Sequence, residues 1–240
     1  MHIPDGILDT KTTLVTGAFA VAGVGAALWQ AKRSLPARRV PLLGVTAAFV
    51  FAAQMINFPV LPGVSGHLFG GVLAAALLGP AGAAIVLTAV LAVQSLLFQD
   101  GGVTALGANV FNMALVGTVA GYAVWRGLRR TVLAAAVAGW CATVVTSVCC
   151  AAELAWSGAA PWSRVLPAMA GIHAVIGVGE GLITALVLAA IARVRPELTE
   201  QEYSPPAQVL ALGLIVALGL ALFVAPLACK WPDGLKTVLK

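Results

Sequence analysis

Long apolar runs, broken by short polar punctuation, organise this chain. Runs of near-spanning length fall near residues 12–30, 41–58, 68–78, 81–98, 104–124, 131–152, 166–192 and 207–227. A membrane-crossing helix needs roughly 20 mostly apolar residues, so each run reads as a candidate span. The third run is short and leads into Gly79-Pro80-Ala81-Gly82. The third and fourth runs are therefore expected to form a tight helical hairpin, because packed neighbours can satisfy a backbone interrupted by Pro and Gly. The expected fold class is all-α: a polytopic transmembrane helical bundle. It divides into a seven-span body over residues 1–195, a polar Pro-flanked linker over 196–206 (PELTEQEYSPP), and one extra span with a Pro-Asp-Gly-Leu segment over 207–240.

Composition narrows the function classes. Of 240 residues, 60% are hydrophobic and only 10% are charged. An ordinary soluble enzyme, a disordered segment and a nucleic-acid binder are excluded by so little polar surface. The net charge of +5 is read as orientation. Lys32, Arg33, Arg38, Arg39, Arg126, Arg129, Arg130, Arg193 and Arg195 share one side if all the spans cross. That side is expected to be cytoplasmic, which puts the N-terminus and the loops 59–66, 99–103 and 153–165 outside. The opening MHIPDGILDTK has no basic n-region followed by an apolar core, so a mature, retained start with Met1 in place is expected. Cys141, Cys149, Cys150 and Cys229 form no C-x-x-C pair and read as buried spectator thiols. Small-residue spacings at Ala18, Ala22 and Ala26, and at Gly117 and Gly121, permit close helix approach. Internal packing is the expected use, ahead of docking a partner helix.

Polar residues inside apolar runs are costly and usually have a role. Gln54, Asn57, Gln94, Asn109 and Asn112 all fall toward the outer ends of their spans. His67 opens the third span from outside, and His2 lies at the external terminus. His173 and Glu180 are seven residues apart, so they share roughly one helical face. Interhelical hydrogen bonding explains such residues singly; their common depth points to an external binding site.

A histidine at position 2 has a specific chemical consequence. The α-amine of Met1, the amide nitrogen of His2 and its imidazole Nδ1 can grip one ion through fused five- and six-membered rings. A deprotonated amide then leaves three in-plane nitrogens and room for a fourth. Such a planar set suits Ni(II) or Cu(II), and low-spin Co(II), rather than Zn(II) or Mg(II). His67 is the expected fourth donor, preceded by a Gly-Val-Ser-Gly segment expected to be a flexible loop. Pro4 and Gly6 can turn the terminus back into the bundle, and Asp5 can support that turn.

MHIPDG at 1–6, GHLFGG at 66–71, LAVQSLLFQDGG at 91–102, LGANVFNMA at 106–114 and HAVIGVGEGLIT at 173–184 together resemble the CbiM/NikM family. These are the cobalt/nickel-specific S components of energy-coupling-factor transporters, and the resemblance covers about residues 1–195. It implies a helical bundle with an additional N-terminal helix and a ligand set at Met1, His2 and His67. Asp5, Gln54, Asn57, Gln94, Asn109, Asn112, His173 and Glu180 are the expected supporting residues. It also implies a transmembrane coupling subunit, cytoplasmic ATPase subunits and a prokaryotic inner membrane. Ni2+ or Co2+ is the transported ligand; no resident cofactor and no catalytic residue are expected. Ile7 stands where family openings often carry an aromatic. Trp231-Pro232-Asp233-Gly234-Leu235 resembles the start of a PDGLE-type accessory subunit, with Lys236 in place of the Glu. No Gly-Lys dipeptide occurs, so the chain carries no P-loop, and H-E-x-x-H is absent. Two rivals remain: a self-sufficient proton-coupled permease with Glu180 and His173 as relay, and a non-transporting metal sensor or assembly subunit.

Overall fold

A computed structural model describes residues 1–199 and 205–239. Five of the positions in the expected linker, 200–204, lie outside the described residues. The remainder is an all-α bundle with one small hairpin of strands. In chain order it has α1 (Thr10–Ser34), α2 (Val40–Gln54), β1 (Phe58–Leu61), β2 (Val64–Gly66), α3 (Gly71–Leu97), α4 (Leu106–Gly127), α5 (Val132–Trp156), α6 (Trp162–Val194), α7 (Ala207–Leu227) and α8 (Gly234–Val238). Six of these, α1 and α3 to α7, are long and apolar enough to cross a membrane when α3 is counted at its full length of 27 residues. At 15 residues, α2 extends only about 22 Å, short of a full crossing.

The third and fourth runs are the two limbs of α3. Helical geometry fails at Gly79, where φ is 73° and ψ is 168°, followed at once by Pro80. Three contacts show that the chain reverses there. Gly70 packs against Val50 near the end of α2, Gly82 against Leu43 near its start, and Gln94 hydrogen-bonds Gln54 at its end again. Only glycine tolerates that positive φ without strain. The turn is held by Arg39, whose buried guanidinium donates to the carbonyls of Leu77 (2.8 Å) and Leu198 (3.1 Å). This basic residue therefore works as an internal strut, joining the hairpin to the chain leaving α6.

Small residues set the helix spacing. A Cβ on Gly181 of α6 would stand 2.4 Å from the Ala136 carbonyl oxygen of α5, and one on Gly107 would stand 2.6 Å from Gly17 of α1. Gly117 and Gly121 are likewise buried at contacts with Thr146 and Val72. The Ala18, Ala22 and Ala26 stripe differs from expectation: it is exposed. Helix α1 instead buries Thr12, Thr16, Ala20, Ala27 and Ala31, because its short buried stripe is rotated from the alanine row. The segment 63–66 also differs: Val64–Gly66 is a buried strand paired antiparallel with β1, not a flexible loop. All four cysteines are free, and only Cys150 is fully buried.

Overpacking a closed helix contact costs about 1–3 kcal/mol. Gly181→Val is expected to lower the thermal midpoint in detergent by on the order of 5 °C. Gly171→Val, on the same helix with nothing near its Cβ position, is expected to leave it unchanged. Equal midpoints for the two variants would contradict this packing.

Candidate metal centre

The N-terminal segment is threaded into the bundle as an extended strap. Ile3 is 0% exposed and His2 is 3% exposed. Asn109 of α4 clamps Ile3 by both of its amide atoms: Oδ1 accepts the Ile3 N–H (2.8 Å) and Nδ2 donates to the Ile3 carbonyl (3.1 Å). That carbonyl also accepts the Gly102 N–H at 2.8 Å. Asp5 turns away from the donors and accepts the amide and hydroxyl of Thr104, which hold its carboxyl below the usual carboxylate range. A Cβ on Gly102 would lie 2.4 Å from the Asp5 nitrogen, and one on Gly101 would lie 3.2 Å from the His2 Cβ. The paired glycines let the two backbones touch.

His67 is fixed by a second set of bonds. Glu180 on α6 accepts the N–H groups of Phe69 and Gly70, and Thr184 donates to it. Gln54 donates to the Phe69 carbonyl (2.8 Å), and Gln94 donates to Gln54 Oε1 (2.8 Å). The imidazole Nδ1 lies 2.9 Å from the Leu68 carbonyl oxygen. A carbonyl only accepts, so Nδ1 carries the hydrogen and Nε2 keeps its lone pair. Burial, helped by the nearby amine charge and His2, pushes the His67 imidazole down to about 3. Its Nε2 is thus a neutral donor nitrogen.

The two assemblies meet at one point. The Met1 amine stands 2.7 Å from His67 Nε2, and the rings of His2 and His67 stack with centroids 5.1 Å apart. Among the described residues, neither buried ring nitrogen of His2 makes a hydrogen bond of good geometry. Its Nδ1 is 3.1 Å from Asp100 Oδ2. On the other side, Asp233 Oδ2 is 3.2 Å from the Met1 amine. Burial raises both carboxyls, but the surrounding positive groups outweigh it. Asp100 is held low by the contact and charge of His2, and Asp233 chiefly by the amine. Among the described residues no group of three or more His, Cys, Asp or Glu side chains is placed to hold a metal.

Other expected residues are distributed differently. Asn112 donates to Glu153 of α5 (2.6 Å) rather than to the strap, and among the described residues Asn112 Oδ1 and Glu153 Oε1 have no hydrogen-bond partner. Asn112 lies in a π-helical stretch, Val110–Gly117, whose wider turn breaks the alignment that an i, i+3 pair such as Asn109 and Asn112 has in an α-helix. His173 and Glu180 do not pair. Glu180 serves the turn carrying His67, whereas His173 Nδ1 bonds the Met169 carbonyl and its ring lines a cavity of about 30 Å3 with Met1, His67 and Asp233. The Asn57 carbonyl accepts the Cys229 N–H, and Asn57 lines an open vestibule of about 730 Å3. Asp100, Asp233, Ser65 and Glu153 were not anticipated. Asp100 sits inside the LFQDGG run, and its placement beside two glycines was the available signal.

Comparison with known proteins gives the same grouping. Residues 2–198 match the CbiM model, described as the cobalt uptake substrate-specific transmembrane region. A chain of Archaeoglobus fulgidus, provisionally assigned as the fused nickel transport protein NikMN, is 40% identical over 222 residues, covering 91% of this chain and 74% of that one. The fused nickel transport protein NikMN of Rhodobacter capsulatus is 34% identical over 249 residues, covering 95% and 72%. A crystal structure of a transition metal transporter superposes with a TM-score of 0.74 at 31% identity, covering 90% of this chain and 99% of that one. The chain belongs to the CbiM family, as a multi-pass membrane component of a CbiM-type transporter.

Proposed function

We propose that this chain is the substrate-binding subunit of an ATP-driven, energy-coupling-factor-type importer of Ni2+ and/or Co2+. The ion is captured in a planar set of four nitrogens: the Met1 amine, the His2 amide, His2 Nδ1 and His67 Nε2. One observation carries this reading. Neighbouring donors in a square, each about 2.0 Å from the ion, stand about 2.8 Å apart. The Met1 amine and His67 Nε2 are 2.7 Å apart. In such a chelate the fourth donor lies opposite the amide and beside both the amine and Nδ1. Stacking of His2 on His67 supports that order. Asn109 then fixes the strap, and Glu180, Gln54 and Gln94 fix the turn bearing His67.

The site end of the bundle faces outward in this reading, at the inner membrane of a prokaryote. Support comes from the opposite end, where Arg39, Arg130 and the basic end of α6 gather. A separate coupling subunit reorients the loaded bundle, and partner ATPases supply the energy. A small N-type accessory subunit is a further partner, supported by the fused NikMN names of relatives. The separation of Glu180 from His173 speaks against a proton relay between them.

Three outcomes test the proposal. One residue added ahead of Met1, or His67→Ala, is expected to lower nickel affinity at least 100-fold without changing the thermal midpoint; unchanged loading in either protein would contradict the chelate. Affinity is also expected to fall as pH drops from about 8 to 5, since protons compete for donor nitrogens. His67, already neutral throughout that range, is not the source of the fall; a flat profile by calorimetry would rule the site out. Finally, vesicles holding this chain alone are expected to take up no 63Ni2+, and vesicles with the coupling subunit and ATPases to take it up only with ATP. Uptake by the chain alone would favour a self-sufficient permease.

A further inference from the structure

The stretch following α7 folds back over the candidate metal centre. Cys229 donates its N–H to the Asn57 carbonyl (2.8 Å), and Ser65 of β2 donates its N–H to the Pro232 carbonyl (2.9 Å). The Ser65 hydroxyl donates to the Trp231 carbonyl at 2.7 Å, and Ser65 bridges Asp233 in parallel register. Residues 231–233 thus run alongside β2, the strand that leads into His67, through a single isolated bridge. Asp233 next caps α8, its Oδ1 accepting the Lys236 N–H at 2.8 Å. Gly234 seats the turn on His173, where a Cβ would fall 2.8 Å from Cε1. Leu235 is 0% exposed, in the cluster with Ile3, Val165 and Met169. Of these anchors, Ser65 and His173 line the small cavity beside Met1 and His67, and Ile3 belongs to the strap.

The cap uses one carboxylate oxygen of Asp233. The other, Oδ2, faces the Met1 amine at 3.2 Å. Between them and His67 lies the small cavity, about the volume of one water molecule. On the far side, His67, Asp100, Asp233, Lys230 and Lys236 line the vestibule that opens outward. The stretch therefore forms a wall between the small cavity beside Met1 and this vestibule, which His67 also reaches.

We infer that residues 229–239 form a built-in cover of the cargo site, and that Asp233 is a positioning residue that holds the Met1 amine toward the ion. The inference rests on the capture reading above. A metal-bound amine keeps two N–H groups, and one donates to Asp233. A dication held by one deprotonated amide carries a net positive charge, which the buried carboxylate offsets. Loss of that charge loosens the amine arm of the chelate, so the ion leaves sooner.

The test measures nickel dissociation from the full chain with its native terminus, by stopped-flow exchange against a chelator, beside the absorption spectrum of the bound ion. Asp233→Asn and Asp233→Ser both keep a capping side chain at α8 and remove the charge. They are expected to release nickel about tenfold faster or more, with the planar spectrum and melting temperature retained. Wild-type release rates in either folded variant, while His67→Ala abolishes binding, would overturn the inference and leave the capture reading intact. A wild-type chain that binds no nickel would overturn the capture reading, and this inference with it.

Discussion

Burying a chain terminus inside an apolar bundle is costly unless its charge is met. Here the Met1 amine is met by a neutral imidazole on one side and a carboxylate on the other. Much of the surrounding structure follows from that constraint. The strap needs a clamp with no net charge, and Asn109 supplies one by pairing with a backbone N–H and C=O together. It needs a wall it can touch, and Gly101 and Gly102 supply that. The imidazole must present Nε2, and the Leu68 carbonyl sets that tautomer.

Polar groups at this depth are joined in a chain rather than scattered. Gln94 holds Gln54, Gln54 holds the Phe69 carbonyl, and Glu180 holds the next two N–H groups. A turn without secondary-structure partners would otherwise expose unpaired backbone groups to an apolar interior. The reversal of α3 at Gly79 makes this possible. It returns Gln94 to the level of the turn that starts the same helix, so both limbs report to Gln54. Arg39 secures the other end. A close-packed bundle transmits a shift at one end to the other more readily than a loose one. In the proposed mechanism that is how a coupling subunit at the basic end acts on the site.

The bundle was legible in the sequence because hydrophobic run length and Gly-Pro punctuation are local signals. The α3 hairpin at Gly79-Pro80 was readable in this way. The grouping of Met1, His2 and His67 was legible instead from the ring sizes of the proposed chelate and from the family resemblance, and the structure brings the three together. Asn112 bonds Glu153 rather than the strap because equal depth does not specify helical face, and the π-helical stretch Val110–Gly117 shifts it out of line with Asn109. His173 and Glu180 share a helical face but bond different groups, the Met169 carbonyl and the N–H groups of Phe69 and Gly70: facing the same way does not mean sharing a partner. Asp233 was out of reach. Nothing in local spacing brings position 233 to position 1; that contact depends on a strand bridge to Ser65 and on Leu235 entering the core beside Ile3. The exposed Ala18, Ala22 and Ala26 stripe shows the same limit, since small residues permit close packing without stating on which face it occurs.

The central claim is that an amine, an amide and two imidazoles form one planar nitrogen site. X-ray absorption at the nickel edge, on loaded protein with its native terminus, addresses it most directly. The account predicts a four-coordinate, square-planar ion with nitrogen donors only. A six-coordinate ion in a mixed oxygen and nitrogen shell would contradict it.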